Sequence, residues 1–241
     1  NNKDILMKVL LLQPIIPSKI LWGEYVKGEG FVPPIGLICI GGYLQEKEYE
    51  VKIKDSQVEK MTEEDLVEYL EKNKFDVIGI PTFSNSVSFS YATAEICRKV
   101  LPDCKIIFGG VHGTIMPERT LKECPEADFI VLREGEYRLE ALLKYFKGDI
   151  DNLKEIDGIA YRQDGEIIIQ PAEELVDIDR LPLPAYNLLD MSKYVPHPTQ
   201  YKVLPNYPLV IQRGCPYNCA FCDAWAVHGR QIRHRSVDNV M

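Results

Sequence analysis

The stretch PPIGLICIGGYLQEKEYEVKIKD (residues 33–55) holds a helix followed by a strand, and this pattern decides the class of fold. Pro33 and Pro34 precede a helix that we expect to run to about Glu48, because proline is tolerated at a helix start but not in its interior. The glycines inside it lower helix propensity but permit close contact with a sheet. YEVKIKD then predicts a strand, as is typical of α/β proteins.

The same alternation continues on both sides. KVLLLQP (residues 8–14) reads as a buried strand ended by Pro14. Further strands are predicted at residues 49–55, 76–80, 105–110 and 128–133, and helices at residues 62–73 with Thr62 as N-cap, 88–100, 117–124 and 136–148. Five strands alternating with helices predict a doubly wound parallel five-stranded sheet with right-handed crossovers. We expect a flavodoxin-like (Rossmann-like) strand order.

Such sheets bind ligands beyond the carboxyl ends of their strands. The loops expected there start at Gln13 and include PTFSNSVS (81–88), GGVHG (109–113) and REGE (133–136). The glycines of GGVHG either make a turn or let a ligand approach the backbone, and His112 is either a hydrogen-bonded loop residue or a ligand. No GxGxxG follows the first strand, which weakens a dinucleotide interpretation.

The composition is that of an ordinary globular protein, with 46% apolar and 27% charged residues among 241. A net charge of −8 argues against general nucleic-acid binding. No apolar run approaches the roughly 20 residues that span a bilayer. The seven cysteines are an odd number without a secretory signal, so we expect a reducing cytoplasm rather than a disulfide framework.

The pattern changes after Gly148. GIAYRQDGEIIIQ (158–170) predicts a β-hairpin around Asp164 and Gly165. Residues 177–208 are rich in proline, which favours an extended connector held against the domains on either side. A new strand is predicted from Leu209. We therefore expect three parts: residues 1–148, the hairpin and connector at 149–208, and residues 209–241.

RGCPYNCAFCD (213–223) gathers Cys215, Cys219 and Cys222. Zinc requires four ligands, and His228 or His234 would have to supply the fourth. A disulfide would leave one thiol over. An iron–sulfur cluster on three cysteines would leave one iron with a free coordination position. Spacing alone leaves these alternatives open.

With Phe221 directly before the last cysteine, this motif resembles the signature of radical S-adenosylmethionine (SAM) enzymes. Upstream, KVLLLQP, PPIGLICIGGYLQEKEYEV, FGGVHGT and VLREGE resemble the amino-terminal domain of the cobalamin-dependent radical SAM family, and IDRLPLPAYNLLDMSKY is similar to its connector. The resemblance covers nearly the whole chain.

The resemblance implies a 4Fe-4S cluster on the three cysteines, SAM beside Phe221, and cobalamin in the first domain. It also implies an electron donor such as flavodoxin or ferredoxin and a small-molecule substrate. The reaction expected is methyl transfer or oxidative or cyclising chemistry on an unactivated carbon. The implied cobalamin-binding positions are Ser84, Asn85, Ser86, Gly109, Gly110, Val111, His112, Glu134 and Gly135.

Three further expectations concern the first-strand loop, the end of the chain and a run of basic residues. QPIIPSKILWGE (13–24) lacks the DxHxxG motif that supplies a histidine to cobalt in other cobalamin proteins, so no histidine of this loop should bind cobalt. The chain is expected to stop early in the radical SAM (β/α) barrel and to be inactive alone. The basic residues Arg230, Arg233 and Arg235 either face the cluster or substrate in the complete enzyme or form a solvated surface, and we expect the solvated surface because charge runs usually form one.

Two other functions compete with this interpretation. One is a non-catalytic cobalamin-binding or sensing module whose cysteines are vestigial or bind zinc. The other is a flavodoxin-like domain that binds a flavin nucleotide at the same strand ends. The first-strand loop lacks the serine and threonine cluster that cradles a phosphate, which disfavours the flavin.

Overall fold

A computed structural model of the chain describes residues 7–23 and 30–241. The start of the first predicted part, residues 1–6, lies outside the described residues. So does the segment 24–29, which includes the end of the first-strand loop.

A mixed sheet forms the centre of the molecule. Its strands are β1 (Lys8–Gln13), β2 (Glu50–Asp55), β3 (Val77–Pro81), β4 (Lys105–Gly109), β5 (Phe129–Val131), β6 (Ile159–Gln163) and β7 (Glu166–Ile169). They lie in the order β2-β1-β3-β4-β5-β6-β7. β1 to β5 pair in parallel, which confirms the flavodoxin-like order. β6 and β7 continue the sheet antiparallel.

Helices cover both faces of this sheet. They are α1 (Ser18–Trp22), α2 (Ile35–Glu46), α3 (Glu63–Lys72), α4 (Val87–Val100), α5 (Val111–Ile115), α6 (Pro117–Glu123) and α7 (Gly135–Lys147). Apolar side chains of α2 and α7 fill one core layer, and those of α3, α4 and α6 fill the other. In the described part of the chain, no helix is long and apolar enough to cross a membrane.

Strand β1 shows why the central run is uninterruptedly apolar. Val9 and Leu11 enter the layer of α2 and α7, whereas Leu10 and Leu12 enter the opposite layer. Successive side chains of a strand point to opposite faces, so a strand covered on both sides needs an apolar residue at each position.

Several local predictions at element ends are confirmed. Thr62 caps α3 in a capping box with Asp65. Gly148 ends α7 in the left-handed region at φ 80°. Asp164 and Gly165 turn the hairpin with φ values of 52° and 82°.

Two helices lie where the sequence predicted loops. α1 follows β1, and α5 occupies most of GGVHG. Gly110 makes α5 possible by adopting φ 91° immediately before it. The pattern-based prediction failed there because helices of five residues leave almost no periodic signal.

The hairpin and the connector pack on the same body. Pairing of Val131 with Ile159 joins the hairpin to β5 and covers its edge. In the connector, the backbone N–H of Ala185 donates to the carbonyl of Ile38 at 2.9 Å. The hydroxyl of Tyr194 donates to the buried carboxylate of Asp55 at 3.1 Å. We call residues 7–23 and 30–169 the sheet domain.

Residues 209–241, here called the cysteine module, contain β8 (Gln212–Arg213), α8 (Ala224–His228), β9 (Arg233–His234) and α9 (Val237–Val240). β8 and β9 pair antiparallel. The strand predicted from Leu209 is thus shorter than expected, because only two of its residues find a partner among the described residues. Gly214, at φ 96°, lets the chain pass so close to Gln231 that a Cβ would lie 1.9 Å from that residue's carbonyl oxygen.

Candidate cofactor site

A cavity of about 840 Å³ opens at the carboxyl ends of β1, β3 and β4. Its wall is mainly apolar and includes Trp22, Phe31 and Ile40. The volume lies toward the upper end of the range of roughly 300–1,000 Å³ found for ligand pockets. The cavity therefore occupies the place where doubly wound sheets bind ligands.

Glycines shape the edge of this cavity because neighbouring atoms leave no room for side chains. At Gly110 a Cβ would lie 2.8 Å from the carbonyl oxygen of Thr82, and φ is already 91°. At Gly135 a Cβ would lie 2.8 Å from Cδ1 of Ile40. Gly109 differs, since among the described residues its Cβ would meet only the carbonyl oxygen of Val131, at 3.8 Å. Gly109 also lines the cavity.

The structure separates the sequence-predicted cobalamin positions into two groups. The residues that line the cavity are Gly109, Gly110, Val111, Glu134 and Gly135. The remaining ones, Ser84, Asn85, Ser86 and His112, are not part of its lining. Nothing in the structure assigns a ligand to either group, so these roles stay predictions.

His112 and Ser84 form a polar pair beside the cavity. Nδ1 of His112 lies 3.0 Å from the hydroxyl of Ser84, and its Nε2 is buried without a hydrogen-bond partner among the described residues. Burial lowers the pKa of His112, and the nearby charge of Arg119 lowers it further. The imidazole is therefore neutral near pH 7 and has one nitrogen left for a ligand.

Glu134 lies at the cavity wall, but its carboxylate is occupied within the chain. Arg233 donates to both oxygens, at 2.7 and 2.8 Å, and the backbone N–H of Val176 donates at 3.0 Å. Nδ1 of His228 lies 3.1 Å away and Arg213 3.5 Å. Burial alone would raise the pKa of Glu134, but the hydrogen bonds from His228 and Arg233 and the charge of Arg213 lower it to about 2.

Sequence reasoning missed Glu136 and Arg213 as residues of this site. Arg213 donates to both carboxylate oxygens of Glu136, at 2.6 and 3.2 Å, and both side chains are buried at the cavity wall. The sequence pointed to Arg213 in part, because this arginine stands directly before the GCP of the cysteine motif. Its partner lies 77 positions earlier, where no local pattern points to it.

The prediction that the basic run is solvated is wrong for two of its three residues. Arg233 is held by Glu134, and the buried Arg235 donates to the carbonyls of Leu181 and Pro182 at 2.7 and 2.8 Å. Arg230 is exposed as expected and lies over the ring of Trp225 at 4.8 Å. The prediction failed because buried carboxylates and carbonyls satisfy guanidinium donors as well as water does.

The cysteines fall into two classes. Cys39, Cys97, Cys104 and Cys124 are buried in the cores, and burial raises the pKa of Cys39 to about 11 and those of Cys104 and Cys124 to about 12. The motif cysteines are accessible: Cys219 is exposed, and Cys215 and Cys222 are partly exposed. Only accessible thiols can reach a metal from solution as thiolates.

The motif cysteines share one loop but do not form a closed metal site. Within residues 7–23 and 30–241, no three histidine, cysteine, aspartate or glutamate side chains are close enough together to hold a metal ion. Phe221, between the last two cysteines, is 91% exposed. Nδ1 of His228, the residue considered as a fourth zinc ligand, lies 3.1 Å from Oε1 of Glu134.

The cavity fits the inferred cobalamin better than the cysteine loop fits a cluster. Its mainly apolar wall and the room beside Gly109 suit a large, flat cofactor. Cys215, Cys219 and Cys222 are the kind of donor that iron–sulfur clusters use, but this structure does not gather the three thiols around one metal position.

Comparisons with known proteins show what the chain is similar to. Residues 25–143 match the B12 binding domain family. An uncharacterised methyltransferase of Pyrococcus horikoshii is 32% identical over 98% of the chain. The anaerobic magnesium-protoporphyrin IX monomethyl ester cyclase of Rubrivivax gelatinosus is 32% identical over 91% of it. The chain spans 49% and 39% of these two relatives.

Solved structures share the fold. The cobalamin-dependent SAM radical enzyme OxsB, with aqua-cobalamin and SAM bound, superposes on 98% of the chain with a TM-score of 0.77 and 24% identity. The radical SAM methyltransferase TsrM, with cobalamin and a [4Fe-4S] cluster, gives 0.70 at 17% identity. The chain covers 30% and 44% of these two structures.

Fold, cavity and sequence match together define a B12-binding α/β domain joined to a cysteine-containing module. Residues 25–143 belong to the B12 binding domain family, and the whole chain is similar to relatives that are named methyltransferase or cyclase.

Proposed function

We propose that the chain is the amino-terminal part of a cobalamin-dependent radical SAM enzyme, in which the sheet domain binds cobalamin and the cysteine module binds a 4Fe-4S cluster and SAM. One observation carries this proposal. The loop with three accessible thiols is joined, through Arg213 and Arg233, to the wall of the glycine-edged cavity. Two cofactors bound in these places would face a common space.

On this proposal, residues 1–148 are the cobalamin-binding domain, 149–208 the connector and 209–241 the start of the radical SAM domain. Gly109 lets the cofactor approach the backbone because no side chain stands there, and Gly110, Val111 and Gly135 line the same cavity. The cofactor's nucleotide tail lies near Ser84 to Ser86 and Gly109 and Gly110, and Nε2 of His112, which has no hydrogen-bond partner among the described residues, is a further donor or acceptor for cobalamin.

Cys215, Cys219 and Cys222 would hold the cluster as thiolate ligands, and the exposed ring of Phe221 would contribute to SAM binding. When bound, the cofactors supply reductive cleavage of SAM and methyl transfer or oxidative or cyclising chemistry on an unactivated carbon. The protein itself orients them and shields them from water. The substrate is a small molecule, and the electron comes from a donor such as flavodoxin or ferredoxin.

Anaerobic reconstitution with iron and sulfide tests the cluster. We expect a brown protein with a reducible 4Fe-4S signal, and we expect Cys219→Ala to abolish it because two thiolates do not hold the cluster. Cys104→Ala is the matched control, since it removes a buried thiol that cannot reach solvent. A cluster that survives in the Cys219 variant contradicts the proposal. One zinc per chain without sulfide favours the non-catalytic module instead.

A further inference from the structure

Two carboxylates of the sheet domain and two guanidiniums of the cysteine module form one buried cluster. Glu134 and Glu136 contribute the carboxylates, and Arg213 and Arg233 the guanidiniums. We call these four side chains, together with His228, the Glu134 cluster. The side chain of Glu134 is 0% exposed, that of Glu136 2%, and those of Arg213 and Arg233 8% and 12%. Its charges therefore interact with little screening by solvent.

The two arginines depend on the carboxylates because they are cross-strand partners. Arg213 of β8 pairs directly with Arg233 of β9 in the antiparallel register. Like charges at directly opposed positions destabilise a sheet. Both carboxylate oxygens of Glu134 accept hydrogen bonds from Arg233, and both of Glu136 accept hydrogen bonds from Arg213. Each guanidinium is therefore neutralised by its own two-pronged ion pair.

The cluster also fixes both ends of the cysteine loop. Arg213 stands two residues before Cys215, whose backbone N–H donates to the carbonyl of Gly229 at 3.1 Å. Arg233 follows on the far side and also donates to the carbonyl of His228 at 2.8 Å. The loop that carries the three thiols thus begins and ends at residues bound to the sheet domain.

A strained residue reinforces this attachment. Arg133 adopts φ 60°, which is uncommon for a residue with a Cβ. Its side chain donates to the carbonyl of Ala226 in α8 at 3.1 Å and to that of Ala172 at 2.9 Å. The motif REGE therefore supplies three side chains, Arg133, Glu134 and Glu136, that hold the cysteine module.

We infer that Glu134 and Glu136 are positioning residues that set the separation and orientation between the cofactor in the cavity and the metal cluster on the thiols. This inference rests on the proposed function. Neither carboxylate has to touch a cofactor. Both act through the arginines that frame the cysteine loop.

The first test uses hydrogen–deuterium exchange of the unloaded chain, with Glu134→Gln compared with Glu140→Gln. Glu140 is a matched control because it is a buried glutamate of α7 that contacts Tyr43 and Lys144 rather than the arginines. In the Glu134 variant, amides of residues 212–234 should exchange about tenfold faster or more, the effect of losing a charge-assisted hydrogen bond, while β1 stays protected. Unchanged exchange overturns the inference.

The second test measures electron paramagnetic resonance after loading with hydroxocobalamin, iron and sulfide, followed by reduction. Wild type and Glu140→Gln should show the same defined magnetic interaction between cob(II)alamin and the reduced cluster. Glu134→Gln should retain both cofactors at equal stoichiometry but show a changed or broadened interaction. An identical spectrum overturns the inference. If wild type binds neither cofactor, the proposed function fails, whereas the exchange experiment still decides the positioning role.

Arg233→Lys keeps the test decisive if Glu134→Gln does not fold. Lysine retains the positive charge but loses the two-pronged geometry that engages both oxygens of Glu134. We expect the same changes in exchange and in the spectrum, at smaller amplitude. Wild-type behaviour in both measurements contradicts the positioning role.

Discussion

The sheet domain and the cysteine module are held in place by different forces. In the sheet domain, Leu10, Leu12 and Leu44 are fully buried between helices and sheet. In the cysteine module, Tyr217 is 72% exposed, Phe221 91% and Val237 76%. The module therefore has little core of its own, and its place depends on a few buried charges. Apolar burial makes one region rigid as a whole, whereas the other can be displaced by changing single polar side chains.

The largest loss of stability should come from a substitution in the core of the sheet domain. Leu12→Ala removes a fully buried side chain from the central strand β1 and should destabilise the whole molecule by about 2–5 kcal/mol. Urea unfolding followed by circular dichroism measures this change. Val203→Ala, at a position that is 76% exposed, should stay within about 0.5 kcal/mol. Equal effects of the two variants would refute the assigned core.

A smaller loss of stability should be confined to the attachment of the cysteine module and should depend on pH. The pKa of Glu134 falls from an ordinary 4.5 to about 2 in the folded state. Between pH 2 and pH 4.5 the unfolded chain therefore binds more protons than the folded chain. The contribution of Glu134 to the free energy of unfolding is complete above pH 4.5. It is lost as pH falls toward 2, with a total on the order of 3 kcal/mol.

Fluorescence of Trp225 in α8 can follow this release if Trp22, the other tryptophan, is replaced by phenylalanine. We expect the signal of the cysteine module to change in acid before β1 unfolds. In Glu134→Gln the dependence between pH 4.5 and 2 should flatten. A variant with the same acid profile as wild type would show that other groups control the attachment.

The smallest effect should come from a helix end in the sheet domain. Thr62→Ala removes the capping box with Asp65 and should cost about 1 kcal/mol of stability. Thr62→Ser, which keeps the hydroxyl, is the control. Thermal unfolding monitored by calorimetry distinguishes the two. A loss of several kcal/mol would indicate that α3 depends on its cap more than on Leu66 and Leu70, its buried residues.

The sequence predicted the sheet domain well because its signals are local. The apolar run of β1, the cap at Thr62 and the turn at Asp164 and Gly165 each appear within a few residues, and their regular alternation determines a parallel sheet. The two short helices α1 and α5 were missed because five residues are too few for a periodic pattern.

The site was less predictable because its decisive contacts join distant parts of the chain. Glu134 and Arg233 are 99 positions apart, and nothing near either residue reveals the pair. Arg233 looked like part of a solvated basic run, since sequence shows charge but not burial. Glu134 was predicted to bind cobalamin. It lies at the cavity wall, where its carboxylate is used by the cysteine module.

Cobalamin binding to the cavity is the central claim, and equilibrium dialysis against hydroxocobalamin, read by visible absorption, tests it most directly. Gly109→Leu should project a side chain into open space at the end of β4, whereas Lys105→Leu places the same side chain at the exposed opposite end of that strand. We predict one cobalamin per chain for wild type and Lys105→Leu, and loss of binding for Gly109→Leu. Absence of binding to wild type, preference for a flavin, or undiminished binding to the Gly109 variant would contradict the account.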